Sequence, residues 1–221
     1  MSGAGGPTVS RGNPGLREQK KRETRQSISD HATRLFLERG FDATTIADIA
    51  AASRVAKMTV TNYFPRKEDL ALDHHEAFVA GLADTVAERA PGESALAALR
   101  RSFLDAVDRR DPVIGFSGPE FARMVAGSPT LVVRLRELHQ QREEALAAAL
   151  AAETGAGPDD IAPRVAAAQL GGAHRVLFAE LQRRVLAGHD EERTAAEMAL
   201  LGRETFTMLE PALGDYAVRA D

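Results

Sequence analysis

The 221-residue chain contains no cysteine. Disulfides, thiolate metal centres and cysteine nucleophiles are therefore excluded. No apolar run reaches the ~18 residues that a membrane helix requires. The first 16 residues are rich in Gly, Ser and Pro and carry no apolar stretch, which argues against a secretory leader. A cytoplasmic protein is the expectation. Val, Ile and Thr never alternate at period two for long, so no sheet is expected. A phosphate-cradling glycine loop is also missing. What remains is 44% hydrophobic and 27% charged, enough for a packed core and a solvated surface.

Three patterns approach enzyme motifs and fall short. Gly115-Phe116-Ser117-Gly118-Pro119 has Pro where a nucleophile elbow needs its last Gly, and no strand precedes it. His75-Glu76 starts a zinc-protease motif, but Val79 stands where the second His belongs. Asp73-His74-His75-Glu76 are consecutive, and neighbours along a helix point to different faces. Catalysis, a resident metal and a cofactor are not expected.

The net charge of -4 is unevenly spread. Residues 1–70 hold 12 of the 28 basic and 8 of the 32 acidic residues, a local net of +4. The remainder, with 16 basic and 24 acidic residues, carries -8. All four lysines (Lys20, Lys21, Lys57, Lys67) lie in the first part. A basic surface joined to an acidic body is the pattern of a nucleic-acid binder with a second function.

Residues 1–16 read as a disordered tail, since they offer too little apolar surface to offset ordering. From Arg17 on, nearly everything reads as helix, and the fold class is all-α, with about nine helices. The first spans 17–39 with the stripe Ile28, Ala32, Leu35 and Phe36, and Gly40 stands where a left-handed cap is wanted. A second covers 45–53, with Thr45 as cap and Asp48 at its third position. After Arg54-Val55-Ala56, a short helix runs 57–64 and stops at Pro65. One helix then starts near Lys67 with the stripe Leu70, His74, Phe78, Leu82 and Val86, broken by Pro91-Gly92. Further helices are expected over 94–109, 120–126, 129–153, 161–187 and 191–209. The domains are then a DNA-binding domain over 17–66, an effector-binding and dimerisation domain over 67–213, and a tail over 214–221.

Residues 45–64, TIADIAAASRVAKMTVTNYF, have the make-up of a helix-turn-helix. Such a reader needs two short helices, a tight turn, and small or polar groups facing out from the second. Ile46, Ile49, Val55, Val60 and Phe64 form the inward set. Lys57, Met58, Thr59, Thr61, Asn62 and Tyr63 face largely outward. A plain helical hairpin has no need of that Thr/Asn/Tyr/Lys cluster.

The run from Ala32 to Leu70 resembles the N-terminal domain of TetR-family transcriptional regulators. The residues that carry the resemblance are Leu35-Phe36, Glu38-Arg39-Gly40-Phe41, Thr44-Thr45-Ile46, Ile49-Ala50, Val55, Lys57, Tyr63-Phe64 and Lys67-Glu68. The resemblance implies that Thr45 contacts phosphate through its hydroxyl and the helix N-terminus, and that Lys57, Tyr63 and Lys67 contact the DNA backbone. Met58, Thr59 and Asn62 would face bases, and Thr44, Thr61 and Arg54 complete the candidate set. Arg17, Lys20, Lys21, Arg22 and Arg25 would form an arm toward an adjacent groove, or simply a solvated helix start. Two positions depart from the family: Arg54 stands where Gly is usual in the turn, and Ala56 where Ser caps the recognition helix.

A single short recognition helix binds weakly, so a homodimer on double-stranded operator half-sites is expected. The 161–187 helix is apolar nearly all round, which suits burial on two sides. By the resemblance, it and the last helix pack against their copies, through Val176, Leu177, Leu181, Met198, Leu201, Thr205 and Met208. The resemblance also implies a small-molecule effector site walled by Phe78, Phe103, Phe116, Phe121, Met124, Leu135, His139 and Phe178, with His139 and His174 as polar contacts. A small lipophilic effector would release a repressor from palindromic DNA. The alternative is a DNA-binding regulator controlled by a protein partner; a filled core would favour it, an enclosed cavity the sensor.

If Arg54 adds a phosphate contact, Arg54→Ala should make the salt dependence of DNA affinity shallower. Affinities measured across a salt series check this, and an unchanged slope rejects the contact.

Overall fold

A computed structural model describes residues 14–220. The tail expected over 1–16 lies outside them as far as residue 13, while Pro14 already opens the first helix. Ten α-helices and one 3₁₀ turn account for the architecture, and no strand occurs among the described residues. The chain divides into two compact units, Met1–Ala71 and Leu72–Asp221. No helix among the described residues is long and apolar enough to cross a membrane.

The first unit comprises α1 (Pro14–Arg39), α2 (Ile46–Ala52), α3 (Lys57–Tyr63) and α4 (Lys67–Ala71). The expected stripe of α1 is its buried face: Ile28, Ala32, Leu35 and Phe36 all lie in the core. Gly40 ends the helix at φ 86°, and its N–H donates to the Phe36 carbonyl at 2.9 Å. A residue with a Cβ is strained in that conformation. Phe41 then turns under, its ring centroid 5.2 Å from that of Phe36. Ile49, Val60, Phe64 and Leu70 close the core.

The second unit holds α5 (His75–Ala87), α6 (Ala95–Asp108), α7 (Pro119–Gly127), α8 (Pro129–Thr154), α9 (Ala162–Leu186) and α10 (Glu191–Leu213). The single helix expected from Lys67 is in fact two. It breaks at Leu72–His74, where the Leu72 carbonyl accepts from the backbone N–H of His75 at 2.9 Å and lies 2.9 Å from its ring Nδ1. His74 is consequently exposed rather than part of a core stripe. In this unit α8 packs on α5 and α9, while α10 packs on α6 and α9. Phe103 presses so closely on Gly202 of α10 that a Cβ there would stand 2.5 Å from the ring. Side-chain caps start the helices where expected: Ser94, Ser128 and Asp190 accept from the amides three residues on. Helix α10 continues through Pro211 to Leu213, beyond the expected end at 209. Pro211 offers no N–H to the carbonyl of Thr207, and both residues are exposed.

Residues 214–220 are not a loose tail. Arg89, only 1% exposed, donates from Nη2 to the Ala217 carbonyl at 2.9 Å and from Nε to the Ala217 and Glu93 carbonyls, each at 3.2 Å. Its Nη1 meets Glu153 at 2.7 Å and also the Val86 carbonyl. Arg219 and the Gly92–Glu93 turn exchange two backbone bonds, of 2.9 and 3.1 Å. A buried guanidinium needs its donors met, and the returning chain supplies part of that. Arg89→Met should destabilise this unit by on the order of 3 kcal/mol. Thermal melting and faster tryptic cleavage at Arg219 check it.

Candidate nucleic-acid interface and buried polar cluster

Helix α2 opens with a complete capping box. The Thr45 N–H donates to Asp48 Oδ2 at 2.9 Å, and the Asp48 N–H donates back to Thr45 Oγ1 at 3.2 Å. The Thr45 hydroxyl also donates to Asp48 Oδ2 at 2.5 Å. These bonds hold the Asp48 carboxyl below its ordinary pKa, the side-chain bond foremost. The helix ends in a Schellman turn: Val55 N–H donates to the Ala50 carbonyl at 3.0 Å and Arg54 N–H to that of Ala51 at 3.2 Å. Arg54 occupies the left-handed position at φ 55°, where glycine is unstrained and an L-residue costs about 1 kcal/mol or more. Ala56, at the start of α3, has no side-chain cap to offer. The departures from the family pattern thus fall at the two ends of one tight turn.

Below that turn α3 is anchored by Val60 and the following Phe64, both buried. The opposite face carries Met58, Thr61 and Asn62 at i, i+3 and i+4, all exposed, with Met58 at 70%. Lys57 is exposed beside them; Thr59 and Tyr63 are half-buried on the flanks. The Thr61 hydroxyl donates back to the Met58 carbonyl at 3.1 Å, which leaves its methyl group and lone pairs outward.

Two residues singled out from the sequence as DNA contacts, Thr44 and Lys67, have donors taken up inside the protein, and one residue of the expected arm, Arg25, stacks on an aromatic ring. Thr44 is buried, and its hydroxyl donates to the Gly40 carbonyl at 2.9 Å. Lys67 donates from Nζ to the carbonyls of Phe41 and Thr44, at 2.9 and 3.1 Å, and sits 4.1 Å over the Phe41 ring. The Arg25 guanidinium lies 4.7 Å over the ring of Phe64. For Thr44 and Lys67 a nearby backbone carbonyl takes the donor, which residue type alone does not reveal.

In the second unit, two aromatic–imidazole groups form. Phe78, His139 and Phe178 meet edge to face, with centroids 5.0 to 6.0 Å apart. Phe103, His174 and Phe206 meet at 5.4 to 6.0 Å. Phe206 was not singled out from the sequence. Phe116, Phe121, Met124 and Leu135 are half-buried and belong to neither group. Desolvation, with Arg142 nearby, lowers His139 to about 4 and puts His174 well below the usual imidazole range. Both rings are therefore neutral near pH 7.

The dimer residues named from sequence divide. Leu177, Leu181 and Met198 lie in the core of their own chain, which removes them from any outer face. Leu201 and Thr205 are half-buried. Val176 and Met208 are 63% and 80% exposed; Val165, another apolar residue of the expected partner helix α9, and Leu200 on α10, which the sequence reading did not assign to an interface, are exposed too. The i, i+3/i+4 register separating the two faces was present in the sequence; which face met the core was not.

The family model described as bacterial regulatory proteins, tetR family, matches residues 28–73. The HTH-type transcriptional regulator TcmR of Streptomyces glaucescens is 31% identical over 193 residues, 85% of each chain. Among solved structures, the SmeT–triclosan complex shares the fold at TM-score 0.55 and 18% identity, over 88% of this chain and 94% of that one. A TetR-family regulator from Streptomyces coelicolor A3 does so at TM-score 0.52 and 24% identity, over 89% and 98%.

Replacing Lys67 by Met should lower the stability of the first unit by about 1.5–3 kcal/mol, the range for hydrogen bonds to a charged group. Chemical denaturation measures this. The same variant should leave the salt slope of DNA affinity unchanged, in contrast to Lys57→Ala.

Proposed function

The chain belongs to the TetR family of DNA-binding transcriptional regulators, and on that premise we propose a homodimeric repressor that a small ligand bound in its second unit releases from palindromic operator DNA. The observation that carries this is the outer face of α3. Met58, Thr61 and Asn62 project together from a seven-residue helix whose underside is locked by Val60 and Phe64. A short rigid helix with small polar and apolar tips fits the major groove, where Asn meets adenine edges and methyl-bearing side chains meet thymine. Lys57, Tyr63 and Arg54 then hold phosphates, while the Thr45 hydroxyl, committed to Asp48, caps α2 beside them. Thr44 and Lys67 hold the scaffold beneath them.

One such helix gives modest affinity, so the operator has two half-sites about one helical turn apart. The second copy docks on Val165, Val176, Leu200 and Met208, large apolar side chains left in water by the single chain. Gly172 and Ala168 lie between Val165 and Val176 at helical spacing and let two backbones approach closely. A protein of the same fold, SmeT, is seen in complex with triclosan, which favours a small-molecule effector here too.

Footprinting on the DNA upstream of the chain's own gene should show two protected half-sites. The double variant Val176→Glu with Met208→Glu should shift light scattering from dimer to monomer at micromolar concentration. It should also cost operator affinity about a hundredfold, while single-site electrostatic binding persists. A wild-type chain that scatters as a monomer overturns the dimer.

A further inference from the structure

Arg142 lies on the inward stripe of α8, in register with Leu131, Leu138, Leu146 and Leu150. That register belongs to hydrocarbon, and a guanidinium placed there gives up its hydration. Other buried arginines of this chain are compensated. Arg134, two turns earlier on the same stripe, meets Glu137 at 3.1 Å, and Arg89 meets carbonyls and Glu153. Arg142 is different. Its guanidinium lies 4.5 Å over the ring of Phe78. No hydrogen bond or ion pair reaches it among the described residues, and its Nε is buried without an acceptor. Stacking occupies the flat face of a guanidinium and leaves its in-plane N–H donors to other partners; here the Nε–H has none.

The surroundings are equally one-sided. His139, one turn back, stands edge-on to Phe78 and Phe178. His174 on α9 is buried, with Nε2 lacking any partner. Burial lowers Arg142 only to about 10, so it remains a cation at neutral pH beside two uncharged imidazoles. The cluster therefore holds one positive charge, two orphaned polar atoms and aromatic walls.

We propose that Arg142 anchors an acidic group, a carboxylate or a similarly delocalised oxyanion, on an otherwise aromatic or apolar effector. The expected small lipophile becomes an organic anion. This rests on the reading of the second unit as a ligand sensor. A planar fork of N–H donors matches the two oxygens of a carboxylate, and the contact is strong where water is excluded. His174 Nε2, buried without a partner on α9, which packs against α8, is a second unmet polar atom in the same unit. An unsatisfied buried cation destabilises the empty protein, and the bound anion removes that cost.

Two fluorescent probes test this on the full chain: 8-anilinonaphthalene-1-sulfonate and its neutral analogue N-phenyl-1-naphthylamine, which lacks the sulfonate. The wild-type protein should bind the anion at least about tenfold more tightly than the neutral dye, the gain from one charge-assisted contact. Arg142→Met should abolish that preference, keep the affinity for the neutral dye and raise the melting temperature. Arg142→Lys should retain part of the preference, being charged but without the fork. If both dyes bind and Arg142→Met leaves the preference intact, the anchor is wrong and the sensor reading stands. If Arg142→Met and Arg142→Lys both melt lower and lose both dyes alike, Arg142 is structural and the proposal fails. If neither dye binds the wild-type chain, the proposal and the sensor reading fall together.

Discussion

Each helix of this chain is held by one apolar stripe turned inward, and whether a polar residue lies on that stripe or off it sets what chemistry it can offer. Burial of the stripes is the main favourable term in folding. A polar group off the stripe keeps its water and is free to meet DNA. A polar group on it must find a partner inside the protein or remain costly.

The first unit shows the rule at its smallest scale. Helix α3 has only seven residues, too few to be stable alone. It stands because Val60 and Phe64 are buried and because the turn before it is closed by two backbone bonds. That turn forces Arg54 into the left-handed region. The strain at Arg54, the missing cap at Ala56 and the Ser53 hydroxyl buried without a partner all fall at this one turn. The Lys67 ammonium, spent on the carbonyls of Phe41 and Thr44, steadies the chain that leads into α2.

The second unit contains two opposite answers to a buried guanidinium. Around Arg89 the chain returns on itself, and the carbonyls of Ala217, Glu93 and Val86 complete the donor set. The C-terminal segment is ordered by that demand. Around Arg142 the face of Phe78 is the contact made to its charge among the described residues, and its Nε has no acceptor. The contrast within one unit separates an arginine whose donors the fold itself satisfies from one whose Nε it leaves unmet.

The sequence by itself determined the all-helical class, nearly every helix boundary and the outward set of α3. These follow from local rules: apolar periodicity, the Thr45 cap, and stops such as Gly40 and Pro65. Only the tertiary structure decided the break at Leu72–His74, the docking of residues 214–220, and the inward turn of Thr44 and Lys67. It also decided which residues of α9 and α10 stay exposed, and that Arg142 has no partner. The Lys67 bonds, the docking of residues 214–220 and the exposed faces of α9 and α10 depend on groups far away in the chain, whereas the Thr44 bond to Gly40 and the turn at Leu72–His74 are local choices among competing partners. A donor's partner is set by what the fold brings within 3 Å or so of it, and residue type and spacing do not carry that information.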